Sequence, residues 1–131
     1  MSRFDGMTVM ITGAARGFGA MAARRFAAEG AKVALGDVIE DVFAVAEEVG
    51  GRAIRCDVSK EDDVKALVAL ATELGDGRLD VGLNNAGIVH SLGKLEDVTL
   101  DTFNRQMSVN AGGVFLCMKH QLPVMTTQGG G

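Results

Sequence analysis

The sequence contains no tyrosine and no tryptophan, and its only aromatic side chains are six phenylalanines. No phenol is therefore available within these 131 residues to carry a proton. Cysteine is scarce: Cys56 and Cys117 stand far apart, at no spacing that a metal site uses. Two free thiols in a reducing cytoplasm are expected, and no metal centre. Basic residues are not in excess. Lys and Arg number 13 against 17 Asp and Glu, a net charge of −4, and the cations are scattered. That pattern excludes the electrostatic footprint of a nucleic-acid surface or of attachment to an anionic membrane. Long apolar runs are missing too, since none approaches the roughly 20 residues of a membrane span. The N-terminal Met1-Ser2-Arg3-Phe4-Asp5-Gly6 carries an acid before any apolar stretch, unlike a secretory signal. Proline occurs once, at Pro123.

What is present describes an ordinary globular protein, 47% apolar and 23% charged. Its length suits one domain, residues 1–131, burying roughly two-thirds of its unfolded surface. Thr8 to Thr12 is a short apolar run before glycines and reads as a buried strand. A helix is expected from Gly17 to Glu29, with Ala22, Ala23, Phe26 and Ala27 on one face and Gly30 as its stop. Lys32 to Gly36 is a second strand ending at Asp37, followed by a helix from Ile39 to Val49 and a weaker strand from Ala53 to Cys56. Ser59, with Asp62 three residues on, reads as a variant capping box before the apolar stripe Val64, Leu67, Val68, Ala71 and Leu74. Asp80 to Asn84 is a fourth strand. Thr99 caps a long helix reaching towards Pro123, with Gly112-Gly113 a weak spot inside it. Strict alternation of strand and helix predicts an α/β fold of Rossmann type. Its parallel sheet has helices on both faces, and right-handed crossovers give the strand order 3-2-1-4.

The chemistry is concentrated at the strand ends. Thr12-Gly13-Ala14-Ala15-Arg16-Gly17-Phe18-Gly19 lies between an expected strand and an expected helix, where free N–H groups and the helix dipole make an anion site. The spacing is G-x-x-x-G-x-G, without the Gly-Lys-Ser/Thr ending of a triphosphate loop, and it disfavours a flavin-binding unit. Asp37, at the tip of the second strand, can accept hydrogen bonds from the adenosine ribose and repel a 2′-phosphate. That favours NAD over NADP, although a cation at Arg16 could tolerate NADP. Asp57-Val58 follows the third strand, placed to meet the adenine. Asn84-Asn85-Ala86-Gly87 follows the fourth, with small residues for close approach and amides that can tie loops together.

With Val109-Asn110 in the long helix, these motifs fall in order at the right separations. Together they resemble the short-chain dehydrogenase/reductase family in its small single-domain form. The wording is most similar to NAD-dependent dehydrogenases of steroids and other secondary alcohols. The resemblance covers nearly the whole chain. It implies that Gly13, Arg16, Gly17, Phe18 and Gly19 line the pyrophosphate site and that Asp37 and Val38 hold the adenosine ribose. It implies also that Asp57 and Val58 flank the adenine, and that Asn84, Ala86 and Gly87 border the ribose next to the nicotinamide. Asn110 matches the family's catalytic asparagine, whose backbone carbonyl helps anchor a proton-relay water.

The family moves a hydride between a small alcohol or ketone and the nicotinamide, using a Tyr-x-x-x-Lys pair and a Ser on the fifth strand. A lysine cation lowers the tyrosine pKa from about 10 towards the working pH. With no tyrosine here, that role is empty. The chain ends in Gln128-Gly129-Gly130-Gly131, and family members continue past such a run. The expectation is therefore a cofactor-binding half, truncated before the fifth strand and inactive alone. The competing reading is a non-catalytic dinucleotide-binding or assembly module. The family's four-helix bundle between subunits implies a homo-oligomer, a dimer or tetramer, through the long helix, and an apolar fourth strand left at the sheet edge would also recruit partners. Among the remaining candidates, His90 reads as a loop residue near substrate entry and His120 as a surface or interface residue. Met107, Met118 and Met125 read as packing, and Glu61-Asp62-Asp63 as a solvated first helical turn.

Overall fold

The computed structural model describes residues 2–90 and 93–131. Strand β1 (Thr8–Thr12) is buried along its whole length. It runs parallel to β2 (Lys32–Asp37) on one side and to β4 (Val81–Asn84) on the other, and β2 pairs in parallel with β3 (Arg52–Arg55). The order is β3-β2-β1-β4, the order the sequence predicts. Five α-helices are described: α1 (Gly17–Ala28), α2 (Val42–Val49), α3 (Glu61–Leu74), α4 (Leu100–Asn110) and α5 (Gly112–Gln128), with a short 3-10 turn at Leu95–Asp97.

The pleat divides the core. Val9 and Ile11 of β1, with Val33 and Leu35 of β2, point to one face and pack on Ala20, Ala23, Val42 and Val45 of α1 and α2. Met10 and Ala34 point to the other and pack on Val64, Leu67 and Ala71 of α3 and Cys117 of α5. Central parallel strands are covered on both faces, which is why β1 reads as an unbroken apolar run instead of an alternation. All four strands end, at their C-terminal tips, along one rim of the sheet. In open α/β sheets this rim is where ligands bind.

The structure corrects several local expectations. The single long helix is two, because Ala111 (φ −101°, ψ −50°) interrupts it between Asn110 and Gly112. The break lets Gly113 seat against Val58, where a Cβ would lie 2.5 Å from Val58 Cγ2. Helix α5 then runs through Pro123 to Gln128, at the cost of one helical donor. Helix α2 begins at Val42, three residues later than Ile39. The Ser59 capping box does not form. Lys60 occupies the cap without a side-chain bond, and the Ser59 hydroxyl donates instead to Asp57 Oδ1 at 2.6 Å. Nor is the acidic turn simply solvated: Asp63 accepts the Asp57 N–H at 3.0 Å, and Glu61 accepts from Lys119 and pairs with His120 across to α5. Met107 and Met118 are exposed, whereas Met125 packs on the core.

Candidate functional site

The C-terminal tips of the strands open onto a cleft of about 360 Å³. It is lined by the β1–α1 turn (Gly13, Arg16, Gly17, Phe18), the end of β2 (Asp37, Val38), the residues after β3 (Asp57, Val58) and those after β4 (Ala86, Gly87). Ten of the twelve sequence-derived cofactor candidates therefore share one cavity of a size that small-molecule sites use.

The turn has free donors. Gly13 (φ +66°) and Gly17 (φ +56°) both adopt the left-handed backbone that favours glycine. A Cβ at Gly17 would meet nothing within 4 Å, so the cleft reaches the backbone there. Arg16 is the N-cap of α1 in extended conformation, with no side-chain cap, and the first turn carries no acid. The first N–H groups of α1 are thus left without a side-chain partner at the positive end of a helix dipole, which is the environment an anion seeks. Phe18 is 82% exposed and offers an apolar wall.

Beside the turn, Asp37 is held by two backbone donors: Oδ2 accepts the Ala15 N–H at 3.0 Å and Oδ1 the Ile39 N–H at 3.1 Å. These bonds fix the carboxylate at the mouth while leaving lone pairs for further donors. Asp57 is held from several sides. Its Oδ1 accepts the Ser59 N–H at 3.0 Å and the Ser59 hydroxyl at 2.6 Å, and Arg105 Nη1 lies 3.6 Å from Oδ2. Burial works against its charge, but the Ser59 hydrogen bonds and the Arg105 cation outweigh it and hold the carboxyl below the usual range.

The β4 loop is sewn to the β1 turn. Asn85 Nδ2 donates to the carbonyls of Thr12 and Gly13 at 3.2 and 3.3 Å, and the Ala86 N–H donates to Thr12 Oγ1 at 3.0 Å. Asn110 clamps the next residue pair by pair: its Nδ2 donates to Ile88 O at 2.8 Å and its Oδ1 accepts the Ile88 N–H at 2.7 Å.

Three candidates do not line the cleft: Asn84, Gly19 and Asn110, whose carboxamide instead holds the wall residue Ile88. Asn84 does not line it, because its amide exchanges two hydrogen bonds with Gln121 of α5, at 3.0 and 2.8 Å. Gly19 lies beneath the turn, where a Cβ would collide with the Gly13 carbonyl. Sequence reasoning missed Ile39, Cys56, Asn85 as a wall, Ile88, Arg105 and Val109. Of these, Asn85 and Val109 carried a readable signal, each standing inside a motif next to a named candidate. His90 is exposed beyond Gly87, and His120 is half-buried against Glu61. Among the described residues no three His, Cys, Asp or Glu side chains gather to hold a metal, and no helix is long and apolar enough to cross a membrane.

This geometry has relatives. Over residues 13–131 the sequence matches the family described as enoyl-(acyl carrier protein) reductase. It is 45% identical over 123 residues to short-chain dehydrogenase reductase ATA1 of Arabidopsis thaliana, covering 93% of this chain and 45% of that protein. The chain belongs to the short-chain dehydrogenase/reductase family. Within that family it is also 40% identical over 132 residues to the 2,5-dichloro-2,5-cyclohexadiene-1,4-diol dehydrogenase of Sphingobium indicum, covering 98% of this chain and 52% of the relative. The crystal structure of 3-ketoacyl-(acyl-carrier-protein) reductase from Brucella melitensis complexed with NADH superposes with a TM-score of 0.92 at 39% identity, over 96% of this chain and 53% of that one. This short-chain dehydrogenase/reductase chain spans about half the length of the curated relatives it matches.

Proposed function

We propose that this chain is the cofactor-binding part of an NAD-dependent cytoplasmic oxidoreductase acting on a secondary alcohol or ketone. The observation that carries this reading is the cleft in which an uncapped glycine turn and a fixed Asp37 face the same space. The dinucleotide, when bound, supplies the hydride acceptor or donor. Gly13, Arg16, Gly17 and Phe18 would surround its pyrophosphate, over Gly19 as a packing floor. Asp37 and Val38 would hold the adenosine ribose, Asp57 and Val58 the adenine, and Ala86 and Gly87 the second ribose. Asn84 would act through Gln121, by holding β4 in place. Because the Asn110 carboxamide is spent on Ile88, its family role falls to its backbone carbonyl.

With no tyrosine in these 131 residues, the family's Tyr-x-x-x-Lys pair and its Ser would come from outside them. The chain alone would bind the cofactor without turning over an alcohol. The second reading is a non-catalytic dinucleotide-binding or assembly module. A Tyr-x-x-x-Lys motif in the parent gene separates the two. The exposed apolar residues Phe103 and Met107 of α4 and Phe115, Met118 and Leu122 of α5 support assembly into a dimer or tetramer.

Titration with NADH, followed by nicotinamide fluorescence, tests the reading directly. Gly13→Ala places a Cβ 2.9 Å from Ala86 Cα on a left-handed backbone. That strain costs about 1–2 kcal/mol, and a turn displaced to relieve it must regain its shape on binding, so affinity falls about five- to thirty-fold while the far-UV circular dichroism stays native. Failure of the unaltered chain to bind NADH refutes the proposal.

A further inference from the structure

Two cations line the cleft, Arg16 and Arg105. Arg105 is engaged at the Asp57 end, donating to Ser59 Oγ at 3.1 Å. Arg16 stands in the glycine turn and lines the same cleft as Asp37, so its cation is one that a phosphate on the adenosine 2′-hydroxyl could use as well as the pyrophosphate. Its guanidinium is turned elsewhere. Nε and Nη2 both donate to Asp41 Oδ2, at 3.3 and 3.2 Å.

Asp41 is unusual for its position. It is the N-cap of α2, where an aspartate ordinarily accepts a helix N–H, yet its backbone is already helical (φ −52°, ψ −21°) and its side chain caps nothing. The carboxylate is directed across to the glycine turn instead. Both side chains are more than half exposed, 69% for Arg16 and 55% for Asp41, so no surrounding packing forces the pairing.

We propose that Asp41 is a second cofactor-selectivity residue. It holds the Arg16 guanidinium in an ion pair, so that an incoming 2′-phosphate meets the Asp37 carboxylate while Arg16 is already engaged. The inference rests on the cleft being a nicotinamide dinucleotide site. Exposed ion pairs of this kind shift an equilibrium by about two- to five-fold.

The test compares NADH and NADPH affinities, each by nicotinamide fluorescence at low salt, in the unaltered chain and in Asp41→Asn, Asp41→Glu and the double variant Arg16→Ala/Asp41→Asn. In Asp41→Asn the NADPH-to-NADH affinity ratio should rise about two- to five-fold. Asp41→Glu should keep the original ratio, and the double variant should lose the gain, because the freed guanidinium is its source. A merely structural role for Asp41 would change both affinities together and leave the ratio constant, which overturns the inference. Persistence of the gain without Arg16 overturns it as well. If the unaltered chain binds neither dinucleotide, the proposed function itself falls and takes this inference with it. NADH binding with an unmoved ratio defeats the inference alone.

Discussion

Replacing Gln121 by leucine probes the polar joint that locks α5 to the edge of the sheet. Gln121 is 3% exposed, one of the few buried polar side chains in the core. Its Nε2 donates to Asn84 Oδ1 at 2.8 Å and its Oε1 accepts from Asn84 Nδ2 at 3.0 Å, with Met10 Sδ 3.6 Å from Nε2. The approach is possible because residue 82 is glycine: a Cβ there would lie 2.7 Å from the carboxamide. Leucine is close in size, so packing largely survives, but both hydrogen bonds disappear and the half-buried Asn84 amide faces an apolar group. Two net bonds at about 1 kcal/mol each, plus part of the penalty for an orphaned amide, predict a loss of about 2–3 kcal/mol. For a chain of this length that corresponds to a melting point lower by about 10 °C. The chain has no tryptophan or tyrosine, so urea denaturation is best followed by far-UV circular dichroism. Adding Asn84→Leu removes the orphan, and because both single variants lose the same two bonds, the double variant should recover about 2–3 kcal/mol relative to the sum of the single losses. A loss under about 0.5 kcal/mol for Gln121→Leu, or strict additivity in the cycle, would refute the reasoning.

Two further predictions concern ionisation. Burial opposes the charge of Asp80, but the Thr8 N–H at 2.9 Å and Arg78 outweigh it and hold the carboxyl below its usual range. Its folded pKa lies under its unfolded one, so this stabilisation is fully present above the ordinary carboxylate range and is lost as pH falls through the folded value. Urea midpoints measured from pH 7 to pH 3 should drop in that acid window, and Asp80→Asn should flatten the drop; an unchanged slope in the variant contradicts the assignment. Burial pushes the Cys56 thiol up to about 12 and the Cys117 thiol to about 11, so both stay protonated near neutrality. Intact-mass analysis after iodoacetamide treatment at pH 8 should show an unmodified native chain and two additions once it is unfolded in urea. Modification of the native chain at the denatured rate would contradict their burial.

The fold was legible because its determinants are local and repeated. Each central strand is an apolar run too short for a helix, each is followed by glycine and an amphipathic stretch, and the handedness of the crossover then leaves one sheet order. Where expectation and structure diverge, a competing contact has overridden the expected local preference. Ser59 looks like a helix cap in the sequence, yet the carboxylate of Asp57 lies within reach of its hydroxyl at 2.6 Å and takes it. Ala111 is a good helix former, and the Gly112-Gly113 pair after it marks a weak spot without showing what contact would open it. The interruption becomes intelligible only when Gly113 is seen pressed on Val58, a residue of another loop. Pro123 looks like a stop, but one lost hydrogen bond is a small charge against the contacts that α5 makes with α3, α4 and β4.

The cleft was legible to a different degree. Glycines and acids at strand tips reveal themselves because their chemistry depends on backbone position, and strand order alone brings those tips together. Asn84 was misplaced because neighbouring residues in an extended segment point to opposite sides. Of the pair Asn84-Asn85, one must face α5 and the other the glycine turn, and sequence periodicity does not say which. The structure gives the turn to Asn85, whose amide holds the Thr12 and Gly13 carbonyls, and gives Gln121 to Asn84. Arg105 was invisible for a related reason: it lies 48 residues from Asp57 in sequence, and only the docking of α4 brings it within 3.6 Å. The same holds for Arg16 and Asp41. Read singly, one is a cation fit for a 2′-phosphate and the other an ordinary helix cap. Their hydrogen bonds at 3.2 and 3.3 Å join residues 25 apart in sequence, a pairing that neither residue announces alone.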